Sequence, residues 1–340
     1  MCTGPRGQVP RERVLSHLGT CPLGPSGTGC GFLLESWRMR VVITGGSGLI
    51  GRALAAELVG AGHEVGVTSR SPASVGELPA GVEVAEWDTT SASRLAALID
   101  GVDAVVHLTG EGIADGRWTE ERKRRIRDSR VRSTSAVAEA MAACASRPGV
   151  LLQGSAIGFY GARGDEELTE ESGPGEGFLA DVCVAWEEAG AGVEDLGVRR
   201  VLLRTSLVLS TDGGALPKMA LPFKLFAGGP VGGGSQWVPW IHEADEIGAI
   251  RFLLEEPSAS GPFNLTAPEP LRNRDFSRAL GGALRRPSLV PVPGPALKLL
   301  YGEMAGLLLG SQRVLPPRLV EAGYVFRHPT AAEALADLLG

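Results

Sequence analysis

The sequence predicts an α/β protein, a doubly wound parallel sheet with a smaller C-terminal α+β lobe. Three observations predict it. Apolar, strand-like runs alternate with helix-periodic runs from residue 39 to residue 210. That alternation requires a parallel sheet covered by helices on both faces. The first run, Val41-Val42-Ile43-Thr44, stops at a glycine cluster from which an apolar-periodic helix departs. After Ser210 the repeat ends and a stretch rich in Gly, Pro and Trp begins.

Each element follows from local pattern. Strands are expected over 40–44, 64–69, 82–87, 104–108, 150–154 and 199–205, and helices over 49–61, 91–99, 119–145 and 178–196. The sheet domain is set at 39–210 and the substrate-side lobe at 211–340. Residues 211–240, with Gly228, Gly229, Gly232, Gly233, Gly234, Trp237, Pro239 and Trp240, are expected to roof a cleft. A helix (244–255), a short strand (261–266) and two helices (273–284 and 296–309) follow in the lobe. Residues 1–38 are rich in Gly, Pro, Ser and Arg and lack periodicity. They read as a disordered extension, or as a start placed too early with Met39 the natural first residue.

Bulk properties exclude several classes. At 340 residues and 44% hydrophobic, the chain can bury a large core. A net charge of −6 argues against general nucleic-acid binding. No apolar run reaches the roughly 18 residues of a membrane span; the stretch 296–310 is interrupted by Lys298 and Glu303. Cys2, Cys21, Cys30, Cys144 and Cys183 are scattered without C-x-x-C spacing, which suits a reduced, cytoplasmic setting. The histidines show no ligand spacing, so no metal is expected.

The glycine cluster carries the first chemistry. Gly45, Gly48 and Gly51 are spaced G-x-x-G-x-x-G. The first permits a sharp turn, the second close approach of a pyrophosphate, the third tight helix packing. Ser47, Leu49 and Ile50 complete the turn, whose helix N-terminus offers N–H groups and a positive dipole end to phosphates. The cluster reads as a Rossmann-type dinucleotide site; the plainer alternative is a structural glycine-rich turn. The second strand ends Ser69-Arg70, with Arg70 19 residues past Gly51. An NAD enzyme carries an acid there for the ribose 2′-hydroxyl. A serine and an arginine suit a 2′-phosphate instead, so NADP(H) is the expected cofactor. The plainer alternative is a solvated arginine after a strand. Asp88 either accepts from the adenine amino group or serves as a turn or helix cap. Leu108, Thr109 and Gly110 end the fourth strand and are expected along the cofactor ribose and pyrophosphate. The helix that follows carries seven basic residues between Arg122 and Arg132, most of them read as a solvated face. Ile126, Arg130 and Ser133 share one helix side, which makes Arg130 a candidate anchor beneath the cofactor.

The fifth strand ends Gly154-Ser155-Ala156-Ile157-Gly158-Phe159-Tyr160-Gly161. Other distinctive stretches are Arg117-Trp118 with Ser129-Arg130, Ala185-Trp186-Glu187, Pro239-Trp240-Ile241-His242, Gly310-Ser311-Gln312-Arg313-Val314-Leu315-Pro316 and Glu321-Ala322-Gly323-Tyr324. Together with 44–51 they resemble the extended short-chain dehydrogenase/reductase superfamily, sugar-nucleotide epimerase type. More narrowly, they resemble an atypical epimerase-like group with its own C-terminal domain. The resemblance covers about residues 39–340. It implies hydride transfer between nicotinamide and a small-molecule substrate, with a Tyr-x-x-x-Lys dyad moving the proton. The helix from Phe178 has neither dyad member: Leu179 and Cys183, or Phe178 and Val182 in another anchoring, stand in their places. The atypical group shares this loss. Three residues are left as acid–base candidates. Tyr160 is a proton donor or a packing residue. Ser155 lies five residues before Tyr160, where Ala156 holds the more usual spacing. His242 is an acid–base group, with Asp245 as partner, or a helix-start histidine. Cys183 reads as a small buried hydrophobe. Val208 is placed at the nicotinamide amide by resemblance alone. The expected function is an NADP-binding oxidoreductase or epimerase-like enzyme. Its rival is a non-catalytic NADP(H)-binding sensor or scaffold.

Overall fold

The computed structural model describes residues 38–114 and 116–340; the expected disordered extension, up to residue 37, lies outside them. The first strand, β1 (Arg40–Thr44), buries Val41 and Ile43 in one core and Val42 in another. A strand covered on both faces must be apolar at successive positions, which is why its sequence is continuous rather than alternating. In chain order there follow α1 (Leu49–Gly60), β2 (Glu64–Ser69), β3 (Glu83–Glu86), α2 (Ala92–Ile99), β4 (Ala104–His107), α3 (Glu120–Ala143) and β5 (Val150–Ala156). Then come β6 (Glu167–Leu168), α4 (Phe178–Ala189), β7 (Arg199–Thr205), β8 (Leu207–Leu209), α5 (Leu216–Lys224), β9 (Trp237–Val238) and β10 (Trp240–His242). The chain ends with α6 (Glu243–Glu255), β11 (Gly261–Leu265), β12 (Leu271–Arg272), α7 (Asn273–Leu284), α8 (Gly294–Tyr301), α9 (Gly306–Leu309), β13 (Arg313–Val314), α10 (Pro317–Glu321) and α11 (Ala331–Leu339).

Seven strands form one sheet in the order β11-β7-β5-β4-β1-β2-β3, every neighbour parallel. Leu54 and Leu58 of α1 and Ile250 and Leu253 of α6 pack on one face. Leu95 and Ile99 of α2 and Val137 and Met141 of α3 pack on the other. The chain runs outward from β1 to β3, then returns to β4 on the other side of β1. Ligands of open α/β sheets bind at that switch, beyond the carboxyl ends of the strands. Three small two-stranded ladders, β8 with β10, β9 with β12 and β6 with β13, lie outside the main sheet.

Several elements differ from the sequence reading. The strand expected within the lobe, 261–266, instead pairs with β7 and closes the edge of the main sheet. Alternation cannot say which sheet a strand joins; here α6 packs over the sheet face and makes 243–265 one more helix–strand unit. The helix expected over 296–309 breaks at Gly302, whose φ of +60° no helix accommodates. α5 went unread because Pro217 and Pro222 mask its apolar side; Leu216, Ala220 and Phe223 are buried. Among the described residues no helix is long and apolar enough to cross a membrane.

Candidate functional site

The glycine turn between β1 and α1 is built by exclusion of side chains. Gly45 has φ of +77°, and a Cβ there would lie 2.9 Å from the Leu108 carbonyl carbon. A Cβ on Gly51 would lie 2.5 Å from the Gly45 oxygen, so the helix could not sit so close to the turn. The Gly48 N–H donates to the Gly45 carbonyl at 3.0 Å. Gly48 caps α1 without a side-chain bond, and the first turn holds no acid, so the N–H groups of Leu49 and Ile50 are left for a ligand. Gly46 was not singled out by the spacing, yet its Cβ would strike Val67 at 2.5 Å. Beside this turn lies a cavity of about 440 Å³ lined by Leu49, Arg52, Ala53, Glu77, Asp212 and Glu243.

On the β2–β3 side, Ser69 is half-buried and accepts from the Ser71 N–H at 3.2 Å. Arg70 is exposed and makes no ion pair among the described residues. Asp88 was open between an adenine contact and a cap. Its Oδ1 accepts the N–H groups of Thr90 and Ser91 at 2.9 and 2.7 Å, which holds its carboxyl below the usual range. That bonding is the turn role; Ser91 then caps α2.

On the β4–β5 side, Leu108 and Thr109 are half-buried, and the buried Oγ1 of Thr109 has no partner among the described residues. Arg130 turns inward. Its Nη1 donates to the Ile126 carbonyl at 3.0 Å, and its guanidinium carbon lies 3.2 Å from where a Gly110 Cβ would stand. The same guanidinium lies 5.1 Å from the Trp186 ring centre, close enough for a cation–π contact. Trp186 is fixed by its indole N–H, which donates to Thr134 Oγ1 at 3.0 Å. Neighbours along α3 are surface charges as expected: Lys123 pairs with Glu120 and Glu303, and Arg125 with Glu121 and Glu111.

The acid–base candidates are bonded within the fold. Tyr160 has no exposed surface; its hydroxyl donates to Asn264 Oδ1 at 2.7 Å and accepts from Arg204 Nη1 at 2.9 Å. Burial raises its pKa, as suits the packing alternative. Ser155 is buried and donates to Glu187 Oε1 at 2.6 Å. Arg204 grips the same carboxylate with two bonds of 2.9 Å. Ser155, Tyr160, Glu187, Arg204 and Asn264 thus form one buried network, with Arg204 3.6 Å from the Phe159 ring centre. The sequence reading missed Glu187 and Arg204, whose charges come together only through the packing of α4 on the sheet. His242 is the N-cap of α6: its Nδ1 accepts from the Ala244 N–H at 3.0 Å. Asp245 accepts the N–H groups of Arg327 and His328 and the Tyr324 hydroxyl, and its charge also acts on the His242 ring, favouring the protonated form.

In one of the two anchorings of the dyad, Leu179 and Cys183 face the end of β5, with Leu179 Cβ and Cys183 Sγ 3.3 and 3.5 Å from where a Gly158 Cβ would be. Burial pushes the Cys183 thiol up to about 12, in keeping with a small hydrophobe. Val208, half-buried in β8, pairs with Ile241. Spacing also hid a cluster, His242, His328 and Asp337, whose ligand atoms lie within 4.8 Å of one another. Its donors do not suit a metal. Nδ1 of His242 is spent on the helix cap, which places the ring proton on Nε2, facing Asp337 at 3.3 Å. On α6, Glu246 is buried and takes a 2.8 Å bond from Thr205 Oγ1.

The doubly wound sheet and its glycine turn place the chain in a class: it belongs to the NAD dependent epimerase/dehydratase family, which matches residues 41–266. A domain of unknown function, DUF1731, matches residues 292–338. Epimerase family protein Mb2239 of Mycobacterium bovis is 42% identical over 300 residues, which cover 87% of this chain and 96% of that protein. Mouse epimerase family protein SDR39U1 is 35% identical over 305 residues, 88% of this chain and all of its own (100%). The crystal structure of human epimerase family protein SDR39U1 (isoform 2) with NADPH matches with a TM-score of 0.80 at 32% identity, covering 88% of this chain and 99% of that one.

Proposed function

We propose that the chain binds NADP(H) and acts as an oxidoreductase or epimerase-like enzyme on a small-molecule substrate. Arg70 carries the reading. It directly follows β2, the strand beside β1 and its glycine turn, exposed and without a counter-ion among the described residues, where an acid would repel a 2′-phosphate. Other features suit the same cofactor. The turn from Gly45 to Gly51 leaves helix N–H groups for a pyrophosphate, and the unpartnered Thr109 hydroxyl lies at the end of β4 beside it. Ser69 would join Arg70 at the 2′-phosphate, and Leu108, Gly110 and Val208 would line the path of the nicotinamide half. The human relative with NADPH supports the choice of nucleotide. When bound, the nicotinamide supplies a hydride donor or acceptor. The two buried, unpaired cysteines, Cys144 and Cys183, support a cytoplasmic setting.

One observation favours a second reading, an NADP(H)-binding sensor or scaffold. Neither anchoring of the dyad, Leu179 with Cys183 or Phe178 with Val182, supplies a Tyr or a Lys, and the hydroxyl of Tyr160 and Nδ1 of His242 are spent on internal bonds. Fluorescence titration with NADPH and NADH, followed by a screen of carbonyl compounds for NADPH consumption, separates the two. Consumption supports the enzyme. Tight NADPH binding without turnover across broad substrate classes supports the sensor. Binding of neither nucleotide defeats both.

A further inference from the structure

We infer that Arg130 takes the place of the missing dyad lysine, holding the nicotinamide-ribose half of the cofactor from α3 rather than from α4. The inference rests on the NADP(H) reading. In the dyad, a cation on the helix after β5 lies beneath the nicotinamide ribose. Here that position is Cys183, or Val182 in the other anchoring, and both are uncharged and buried. A cation nevertheless reaches the same place. Arg130 stacks on Trp186, one turn along α4 from Cys183, and touches Gly110 at the end of β4.

The state of this guanidinium points to a ligand. Its one hydrogen bond among the described residues goes from Nη1 to the Ile126 carbonyl, and no carboxylate pairs with it. The acid that acts on it through space, Glu111, is bonded to Arg125 at 3.3 Å and lies 3.9 Å from Arg122. A half-buried cation with unused donors and no counter-ion gains when acceptors arrive from elsewhere. Burial indeed lowers its pKa. The guanidinium carbon lies 5.1 Å from the Trp186 ring centre, and Thr134 in turn holds the Trp186 indole N–H, so the guanidinium sits beside an ordered ring. A planar fork of N–H groups suits the two adjacent ribose hydroxyl oxygens, or one of them and the neighbouring phosphate oxygen. Topology selects the half. β4 and β5 lie on the opposite side of β1 from β2 and Arg70. A dinucleotide that places its pyrophosphate at the β1 turn and its 2′-phosphate at Arg70 therefore carries its nicotinamide ribose toward Arg130. Arg130 is thus a positioning residue: it supplies charge and orientation, and no proton.

The test compares two ligands that share the adenosine half. NADPH and adenosine 2′,5′-bisphosphate are titrated against wild type, Arg130→Ala, Arg130→Met and Arg130→Lys. The methionine keeps a stem packed on Trp186, and melting curves confirm that each variant is folded. Loss of a charge-assisted pair of bonds weakens NADPH roughly ten- to a hundred-fold in the alanine and methionine variants. The bisphosphate, which lacks the nicotinamide ribose, stays within about two-fold, a difference of under about 0.5 kcal/mol. Lysine, charged but without the fork, falls between. Equal weakening of both ligands, or no weakening of NADPH, overturns the inference while leaving the NADP(H) reading intact. Failure of wild type to bind NADPH overturns both.

Discussion

Replacing Glu187 with Gln deletes one negative charge and almost no volume. In the wild type its carboxylate takes both arms of Arg204 at 2.9 Å and the Ser155 hydroxyl at 2.6 Å. The side chains of Arg204 and Glu187 are 5% and 11% exposed, so solvent does not screen the pair. A surface pair would be worth under about 1 kcal/mol. Removing one partner of a buried pair costs roughly 3–5 kcal/mol, because the remaining charge is left uncompensated. Arg204 keeps the Tyr160 oxygen and the face of Phe159, which puts the expected loss near the lower end, about 3 kcal/mol. Urea unfolding at pH 7, followed by circular dichroism, measures it for Glu187→Gln, Arg204→Met and the double variant. The double variant should be less unstable than the sum of the singles, since each single strands the other's group. A loss for Glu187→Gln under about 1 kcal/mol, or strictly additive losses, would refute the reasoning.

Three further outcomes follow from the same geometry. Tyr160→Phe removes two buried hydrogen bonds and should cost about 1–2 kcal/mol of stability while leaving any NADPH consumption within about three-fold; a hundred-fold drop in turnover would restore the tyrosine to the chemistry. Burial pushes the Glu246 carboxyl from 4.5 up to about 8. A folded pKa above the unfolded one means stability is full below 4.5 and is lost as pH rises through about 8. Glu246→Gln, neutral throughout, should therefore gain on wild type across that window and level off above it; parallel curves in a pH series of unfolding midpoints would contradict this. Gly51→Ala drives a methyl against the Gly45 oxygen, 2.5 Å away. It should destabilise by roughly 1–3 kcal/mol and abolish nucleotide binding, and unchanged NADPH affinity would count against the turn.

The sheet was legible because its strands are short apolar runs closed by punctuation: β1, β2 and β7 match the expected ranges residue for residue. Both α2 and α3 start one residue past the expected boundary because Ser91 and Thr119 are their caps. Tertiary choices were not legible. Nothing local in Gly261–Leu265 says that it completes the main sheet, and nothing in Glu187 says that Arg204 lies beneath it. Tyr160 and His242 looked available because an aromatic hydroxyl and an imidazole advertise chemistry, whereas their partners, Asn264 and the Ala244 N–H, show only in the fold. Arg130 was readable because three residues on one helix side specify a direction that seven scattered charges do not.

The central claim is that the site beside the glycine turn is built for a 2′-phosphorylated dinucleotide, and the ratio of NADPH to NADH affinity in wild type and Arg70→Ala tests it most directly. The account predicts that wild type prefers NADPH. It also predicts that Arg70→Ala weakens NADPH roughly ten- to a hundred-fold and NADH under about two-fold, as expected for loss of a charge-assisted contact to the extra phosphate. Equal weakening of the two nucleotides, or a wild type that prefers NADH, would contradict it.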